Sequence, residues 1–183
     1  MKIGILSDTH GSLAYFSKAM DVLSDCDMYF HAGDVLYNGP RNILPQEYDP
    51  KNLVEKINSI ENIIFSKGNC DATVDEKVIN HPILSPYAFY QIGNKKCIIC
   101  HGDNNKEEFI EKASKMNIDL LIFGHTHVKE YKNFKGMIII NPGSTSLPKD
   151  GTHSVAKVEI LENDELDVKF FNLDTNEEIN VET

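Results

Sequence analysis

The chain has 183 residues, which at about 150 residues per domain predicts one domain spanning 1–183 with room for a sizeable core. Lys+Arg 18 against Asp+Glu 28 gives a net charge of −10 and a pI near 5.1, which argues against bulk binding to a nucleic-acid backbone because that needs a basic surface. The longest apolar runs, such as Met137 to Ile140, fall far short of the roughly 18 to 20 residues of a membrane span. The start of the chain reaches Asp8 without the apolar stretch of a signal peptide, so the expectation is a cytoplasmic protein without membrane attachment.

Lys2 to Leu6 is a short apolar run that predicts a buried strand. A helix follows, with Ser12 as N-cap and Leu13, Phe16, Met20 and Leu23 at helical spacing. Met28 to Ala32 is the second strand, and Asp49-Pro50 opens a second helix as cap and first-turn proline, with Leu53, Val54 and Ile57 on its apolar face. Asn62 to Ser66 is a third strand; Tyr87 to Ile92 and Lys95 to Cys100 form a hairpin across Gly93-Asn94. A third helix opens at Asn105 with Glu108 in a variant capping box and buries Phe109, Ile110, Ala113 and Met116. From Leu120 on only strands are predicted: Leu120 to Phe123, Met137 to Ile140, and a hairpin of Ser154 to Leu161 with Glu165 to Asn172 across Glu162-Asn163-Asp164. The early alternation of strand and helix is that of an α/β protein, and the second half favours an antiparallel or mixed sheet.

The charge is unevenly placed. From Glu159 to Glu182 there are nine acids against Lys169 alone, a pattern that predicts a solvated strand surface, and the body before it is nearly neutral. Cys26, Cys70, Cys97 and Cys100 are expected as free thiols. Cys97 and Cys100 have the spacing of a redox pair, but on a strand residues three apart face opposite sides, so they are expected as two core residues.

Metal-ligand side chains collect at the strand ends. Asp8-Thr9-His10 follows the first strand, Gly33-Asp34 the second, Gly68-Asn69-Cys70-Asp71 the third, His101-Gly102-Asp103 the hairpin, and Gly124-His125-Thr126-His127 the strand after it. Open α/β sheets bind ligands at the carboxyl ends of their strands, where residues distant in sequence converge. On extended backbone, residues two apart such as Asp8 and His10, or His125 and His127, point the same way. Four imidazoles, two carboxylates and one amide are too many ligands for one ion and suit two.

In this order the motifs D-x-H, G-D, G-N-x-D, H-G and G-H-x-H resemble those of the calcineurin-like metallophosphoesterases, over Lys2 to about Pro148. Gly33-Asp34-Val35-Leu36, Asn38-Gly39-Pro40-Arg41-Asn42, Gly68-Asn69-Cys70-Asp71 and Asn141-Pro142-Gly143-Ser144 look most like the small YfcE-type bacterial phosphodiesterases. The resemblance implies a four-layer α/β/β/α sandwich of two mixed sheets flanked by helices, with Asp8, His10 and His127 on one metal, Asn69, His101 and His125 on the other, and Asp34 bridging. A carboxylate's two oxygens can span ions about 3.5 to 4 Å apart. Nitrogen and oxygen ligands without thiolate suit Mn²⁺, the first choice, or Fe²⁺, Zn²⁺ or Ni²⁺.

The activity implied is hydrolysis of a small phosphodiester by a hydroxide bridging the two ions. A phosphomonoesterase on a small phosphorylated metabolite, or a non-catalytic scaffold of the same fold, is the alternative. The resemblance leaves room for a homo-oligomer, dimer or tetramer. It implies catalytic roles for Asp34, Asn69, Arg41 and Cys70, and substrate contacts at Asn38, Arg41 and Cys70. Arg41 is the chain's one arginine. Cys70 stands where many superfamily members carry histidine, and Asp103 where relatives continue with histidine; an acid there would repel an anionic substrate unless it faces a metal, a base or solvent. His31 is expected as a buried or supporting residue, His81 and His153 as loop residues, and Ser144 as part of a turn bordering the site.

Overall fold

Successive side chains of the first strand face two interiors, and the architecture follows from that parity. Ile3 and Ile5 of β1 (Lys2–Leu6) lie in one buried cluster with Met28, Phe30 and Ala32, whereas Leu6 lies in another with Phe16 and Leu53. The computed structural model describes residues 1–181; Glu182, counted above with the acidic end, lies outside the described residues.

Two mixed sheets stack face to face. The larger has the order β12-β11-β10-β1-β2-β3-β4, built from β1, β2 (Met28–His31), β3 (Ile63–Ser66), β4 (Ile83–Leu84), β10 (Ser154–Ile160), β11 (Leu166–Asn172) and β12 (Glu178–Ile179). The smaller has the order β5-β6-β7-β9-β8, from β5 (Ala88–Ile92), β6 (Lys95–Ile99), β7 (Leu120–Ile122), β8 (Lys129–Phe134) and β9 (Met137–Pro142). β1, β2 and β3 are parallel, as are β6, β7 and β9. Between the sheets Ile5 and Phe30 of one meet Ile99, Leu120 and Ile140 of the other. Helices α1 (Leu13–Val22) and α2 (Pro50–Asn58) cover the outer face of the larger sheet, burying Phe16, Ala19, Leu53 and Ile57. α4 (Lys106–Lys115) covers the smaller sheet through Ile110 and Ala113. The four layers expected from the resemblance are present.

The predicted caps hold for two helices. The Ser12 side chain accepts the Tyr15 N–H, and Asp49 accepts that of Asn52 ahead of Pro50. The third differs: Asn105 adopts a left-handed conformation and makes no capping bond to the backbone; its amide donates instead to the Glu108 carboxylate. Met116, expected in the core, sits at the C-cap and is exposed. Both predicted hairpins form, with Ile92 opposite Lys95 and Ile160 opposite Leu166. Four elements went unpredicted: β4, β12, the one-turn α3 (Asp75–Val78), and β8, whose sequence KEYKNF has no apolar stripe because it is a solvent-facing edge strand.

Cys97 faces the inter-sheet core and Cys100 the helix-side core, and both are free, as expected from strand parity. Acids of the last strands pair across the sheet surface, Asp167 and Glu178 with Lys169. No helix among the described residues is long and apolar enough to cross a membrane.

Phe30 is fully buried between the sheets, edge-on to Tyr90 at 5.9 Å. Phe30→Ala is expected to cost about 3 to 5 kcal/mol, read as a lower denaturant midpoint at unchanged slope.

Candidate metal centre

Residues past the carboxyl ends of β2, β3 and β7 line a cleft of about 760 Å³, and those past β1 and β6 pack against them. All seven ligand-type residues meet at this place. Asp8 Oδ1, His10 Nε2 and His127 Nε2 form one group, separated by 3.7, 3.2 and 3.1 Å. Asn69 Oδ1, His101 Nε2 and His125 Nδ1 form a second, separated by 3.1, 2.8 and 3.3 Å. Asp34 Oδ2 lies between them, 3.7 Å from His10 Nε2 and 3.3 Å from His101 Nε2. Its other oxygen accepts the Cys70 N–H at 2.8 Å, so the atom facing both groups is one oxygen, not the pair that the two-oxygen argument invoked.

The convergence does not come from extended backbone. Asp8, His10, Asp34, His125 and His127 all have positive φ, between 47° and 66°, so the expected alternation of side chains is replaced by a chain of left-handed turns. Such conformations are costly for residues with a Cβ and collect at functional sites. The turns are held by bonds between loops: the N–H groups of Asp8 and His10 donate to the carbonyls of Gly33 and Asp34, each at 3.0 Å. Close approach also demands glycine. A Cβ on Gly68 would stand 2.2 Å from Asp34 Oδ1, and one on Gly124 2.1 Å from Ser7 Oγ.

Backbone carbonyls fix three imidazole tautomers, since a carbonyl can only accept. The Nδ1–H groups of His10, His101 and His127 donate to Tyr37, Ala32 and Leu147 at 2.8, 2.8 and 2.6 Å, leaving each Nε2 lone pair aimed at the centre. This is how proteins orient metal-binding histidines. The Asn69 amide N–H donates to Cys70 Sγ at 3.3 Å, which turns its oxygen inward.

The electrostatics are those of a cation site. Burial would raise the Asp8 carboxyl, but the His127 contact and the charges of His101 and His10 outweigh it and hold the group well below the usual carboxylate range. Burial would lower His101, but Asp34 and Asp8 lift it to about 9, and Asp8 likewise raises His127. Burial and the charge of His101 lower His125. Asp8 Oδ1 is buried without a hydrogen-bond partner, a cost of roughly 1 to 3 kcal/mol or more for a buried polar group. That unpartnered oxygen, beside lone pairs from two imidazoles, fits a divalent cation, and the nitrogen and oxygen donors suit Mn²⁺, Fe²⁺ or Zn²⁺.

A match to the calcineurin-like phosphoesterase superfamily domain extends over residues 1–163. The chain belongs to that superfamily. It is 33% identical over 171 residues to phosphodiesterase YfcE of Escherichia coli, covering 92% of this chain and 91% of that one. It is 30% identical over 176 residues to phosphodiesterase MJ0936 of Methanocaldococcus jannaschii, covering 88% of this chain and 98% of the other. The solved structure of the E. coli phosphoesterase YfcE superposes with a TM-score of 0.83 at 29% identity, over 98% of this chain and 97% of that one. Vacuolar protein sorting 29 from Cryptosporidium parvum shares the fold, at 16% identity and a TM-score of 0.69, over 97% of this chain and 94% of the other.

Around this calcineurin-like centre, Arg41 and Cys70 line the cleft and Asn38 does not: its amide donates to the Asn42 carbonyl at 3.2 Å. Asp103 is exposed, hydrogen-bonded to Asn104 and outside the cleft lining, so it faces solvent. His31 is buried, pushed down to about 3 by burial, and ties Thr9 Oγ1 to Gly33 N–H. Ser144 Oγ donates to the Asp8 carbonyl at 2.7 Å, as a turn bordering the site should. Two residues were missed. Lys149 lines the cleft. Asp71 is buried and accepts the N–H groups of Asp34, Val35 and Gly68 at 2.9, 2.7 and 2.7 Å; the aspartate closing G-N-x-D was the available signal for it.

Asp71→Asn puts an amide against three N–H donors. It is expected to destabilise the fold by about 1 to 3 kcal/mol and to weaken metal binding about 10- to 100-fold, both measured by calorimetry. In the metal-free protein, the proton that the raised His101 carries adds stability below its ordinary value and loses it as pH climbs through about 9. Titration with Mn²⁺ near neutral pH is therefore expected to release protons, seen as heat that varies with buffer ionisation enthalpy and vanishes at alkaline pH.

Proposed function

We propose that this protein is a metal-dependent phosphodiesterase that hydrolyses small phosphodiesters at a dinuclear centre. Asp8, His10 and His127 would hold one ion, Asn69, His101 and His125 the other, with Asp34 shared between them. The observation that carries the reading is the pair of three-atom donor groups, no separation above 3.7 Å, with Asp34 Oδ2 facing both. Two divalent cations in such a site supply a water acidified toward neutral pH and positive charge for the phosphate oxygens. Mn²⁺ is the first choice of metal.

The chain's own residues do the rest. The carbonyls of Tyr37, Ala32 and Leu147 hold the Nδ1–H of three imidazoles, which fixes the rings and turns each Nε2 toward the centre. Ser7 Oγ and the His125 N–H donate to Asp8 Oδ2 at 2.6 and 3.0 Å and lock that carboxylate's plane. Arg41 lines the cleft, and its guanidinium suits an anionic group of the substrate. The Cys70 thiol, pushed up to about 12 by burial and by Asp34, lines the phosphate's path in its neutral form and adds no negative charge there.

Names of relatives support the diester preference: YfcE and MJ0936 are both named phosphodiesterases. The test compares an aryl diester with the matching aryl monoester, using Mn²⁺-loaded protein. Faster turnover of the diester is expected, and a strong monoester preference would overturn the reading. Asp34→Ala and His125→Ala are each expected to lower kcat/KM at least 100-fold, roughly the scale of losing a principal electrostatic group, while far-ultraviolet circular dichroism stays that of the folded protein.

A further inference from the structure

The cleft above the donor atoms carries two cations that the ligand set does not use. Arg41 and Lys149 are both exposed and both line it. The chain segment that carries each is tied to a different histidine of the same donor group. The Tyr37 carbonyl, on the segment leading to Arg41, accepts the Nδ1–H of His10 at 2.8 Å, and the Lys149 backbone N–H donates to the His127 carbonyl at 3.0 Å. His10 Nε2 and His127 Nε2 are 3.1 Å apart, so the segments carrying Arg41 and Lys149 both border the donor group that contains Asp8.

Both segments are pinned. Asn38 and Asn42 exchange hydrogen bonds, each side-chain amide donating to the other's carbonyl, at 3.2 and 2.7 Å. The loop between them holds Arg41 and turns at Gly39, with φ +79 and a Cβ position only 3.1 Å from Cys70 Sγ. Beside Lys149, Asp150 is already committed, accepting the backbone N–H and Nζ of Lys129 at 2.9 and 2.7 Å. Neither Arg41 nor Lys149 has an acidic partner within 4.0 Å among the described residues, whereas Lys129 has one. In a chain with 28 acids against 18 bases, two unpaired cations facing one cleft call for an anion from outside.

We propose that Arg41 and Lys149 form a subsite for a second phosphate, carried on the arm of the substrate that does not leave. This rests on the phosphodiesterase reading and narrows it: the preferred substrate is a diester with negative charge beyond the scissile phosphate. The guanidinium fork takes two phosphate oxygens in one plane and the ammonium adds a point charge. In an acidic protein this local field also draws a polyanion to the one place where it can react.

Binding of two probes to the Mn²⁺-loaded protein tests the subsite: thymidine 5′-phosphate and thymidine 3′,5′-bisphosphate, compared by calorimetry. The bisphosphate is expected to bind about tenfold or more tightly, the scale of one charge-assisted contact. Arg41→Ala and Lys149→Ala should each erase most of that preference, and Lys149→Arg should keep it. The same preference should appear in KM for nitrophenyl esters of the two nucleotides. Equal affinity for both probes in the wild type, or a preference that survives both alanine variants, overturns the proposal. Neither ester being hydrolysed while the binding preference persists would fell the phosphodiesterase reading and leave the subsite standing. Both side chains are exposed, so their removal leaves no buried gap, and metal content is measured in each variant.

Discussion

The constraint on which the rest of the structure depends is the burial of two carboxylates and three imidazoles, with a fourth imidazole half-buried beside them, within a few ångströms of one another. Side chains alone would not choose that arrangement, because unpartnered lone pairs in a buried place are expensive. The backbone compels it. Carbonyls hold three imidazole N–H groups, Asp71 gathers three N–H groups from the loops after β2 and β3, and left-handed turns aim five side chains inward. The scaffold behind them, a hydrophobic seam between two sheets, supplies the free energy that keeps such a cluster from spreading apart.

Much of this was legible in the sequence. Short apolar runs marked the strands because β1, β2, β3, β6, β7 and β9 are buried, and the D-x-H, G-D, G-N-x-D and G-H-x-H motifs fall at their ends because parallel strands deliver chemistry there. What escaped has physical causes. β8 is polar because it is an exposed edge. Met116 looked buried because periodicity does not register that a helix has already ended at Lys115. The i, i+2 spacing of Asp8 with His10 and of His125 with His127 marks residues that do converge, but through left-handed turns just past the strands, where strand alternation no longer applies. Lys149 carried no signal because its place in the cleft comes from lying beside His127 in space, 22 positions away in sequence.

The acidity of the chain has two distinct meanings. Acids of the last strands are surface groups, two of which, Asp167 and Glu178, share Lys169, and exposed pairs of this kind contribute little to stability. Asp8 and Asp34 are buried, and their charge is compensated by neighbouring imidazoles in the metal-free protein. A net charge summed over the chain therefore says little about the cleft, where the cations are Arg41 and Lys149.

Each donor group draws on both sheets. Asp8 and His10 follow β1 and Asn69 follows β3, in the larger sheet; His101 follows β6, and His125 and His127 follow β7, in the smaller. A cation seated in either group is thus a cross-link from one sheet to the other at the open edge of the sandwich, opposite in kind to the greasy contact that joins the sheets in the middle. With cations seated there, the two halves would be riveted at the rim as well as glued at the centre, and sliding of one sheet over the other would be restrained.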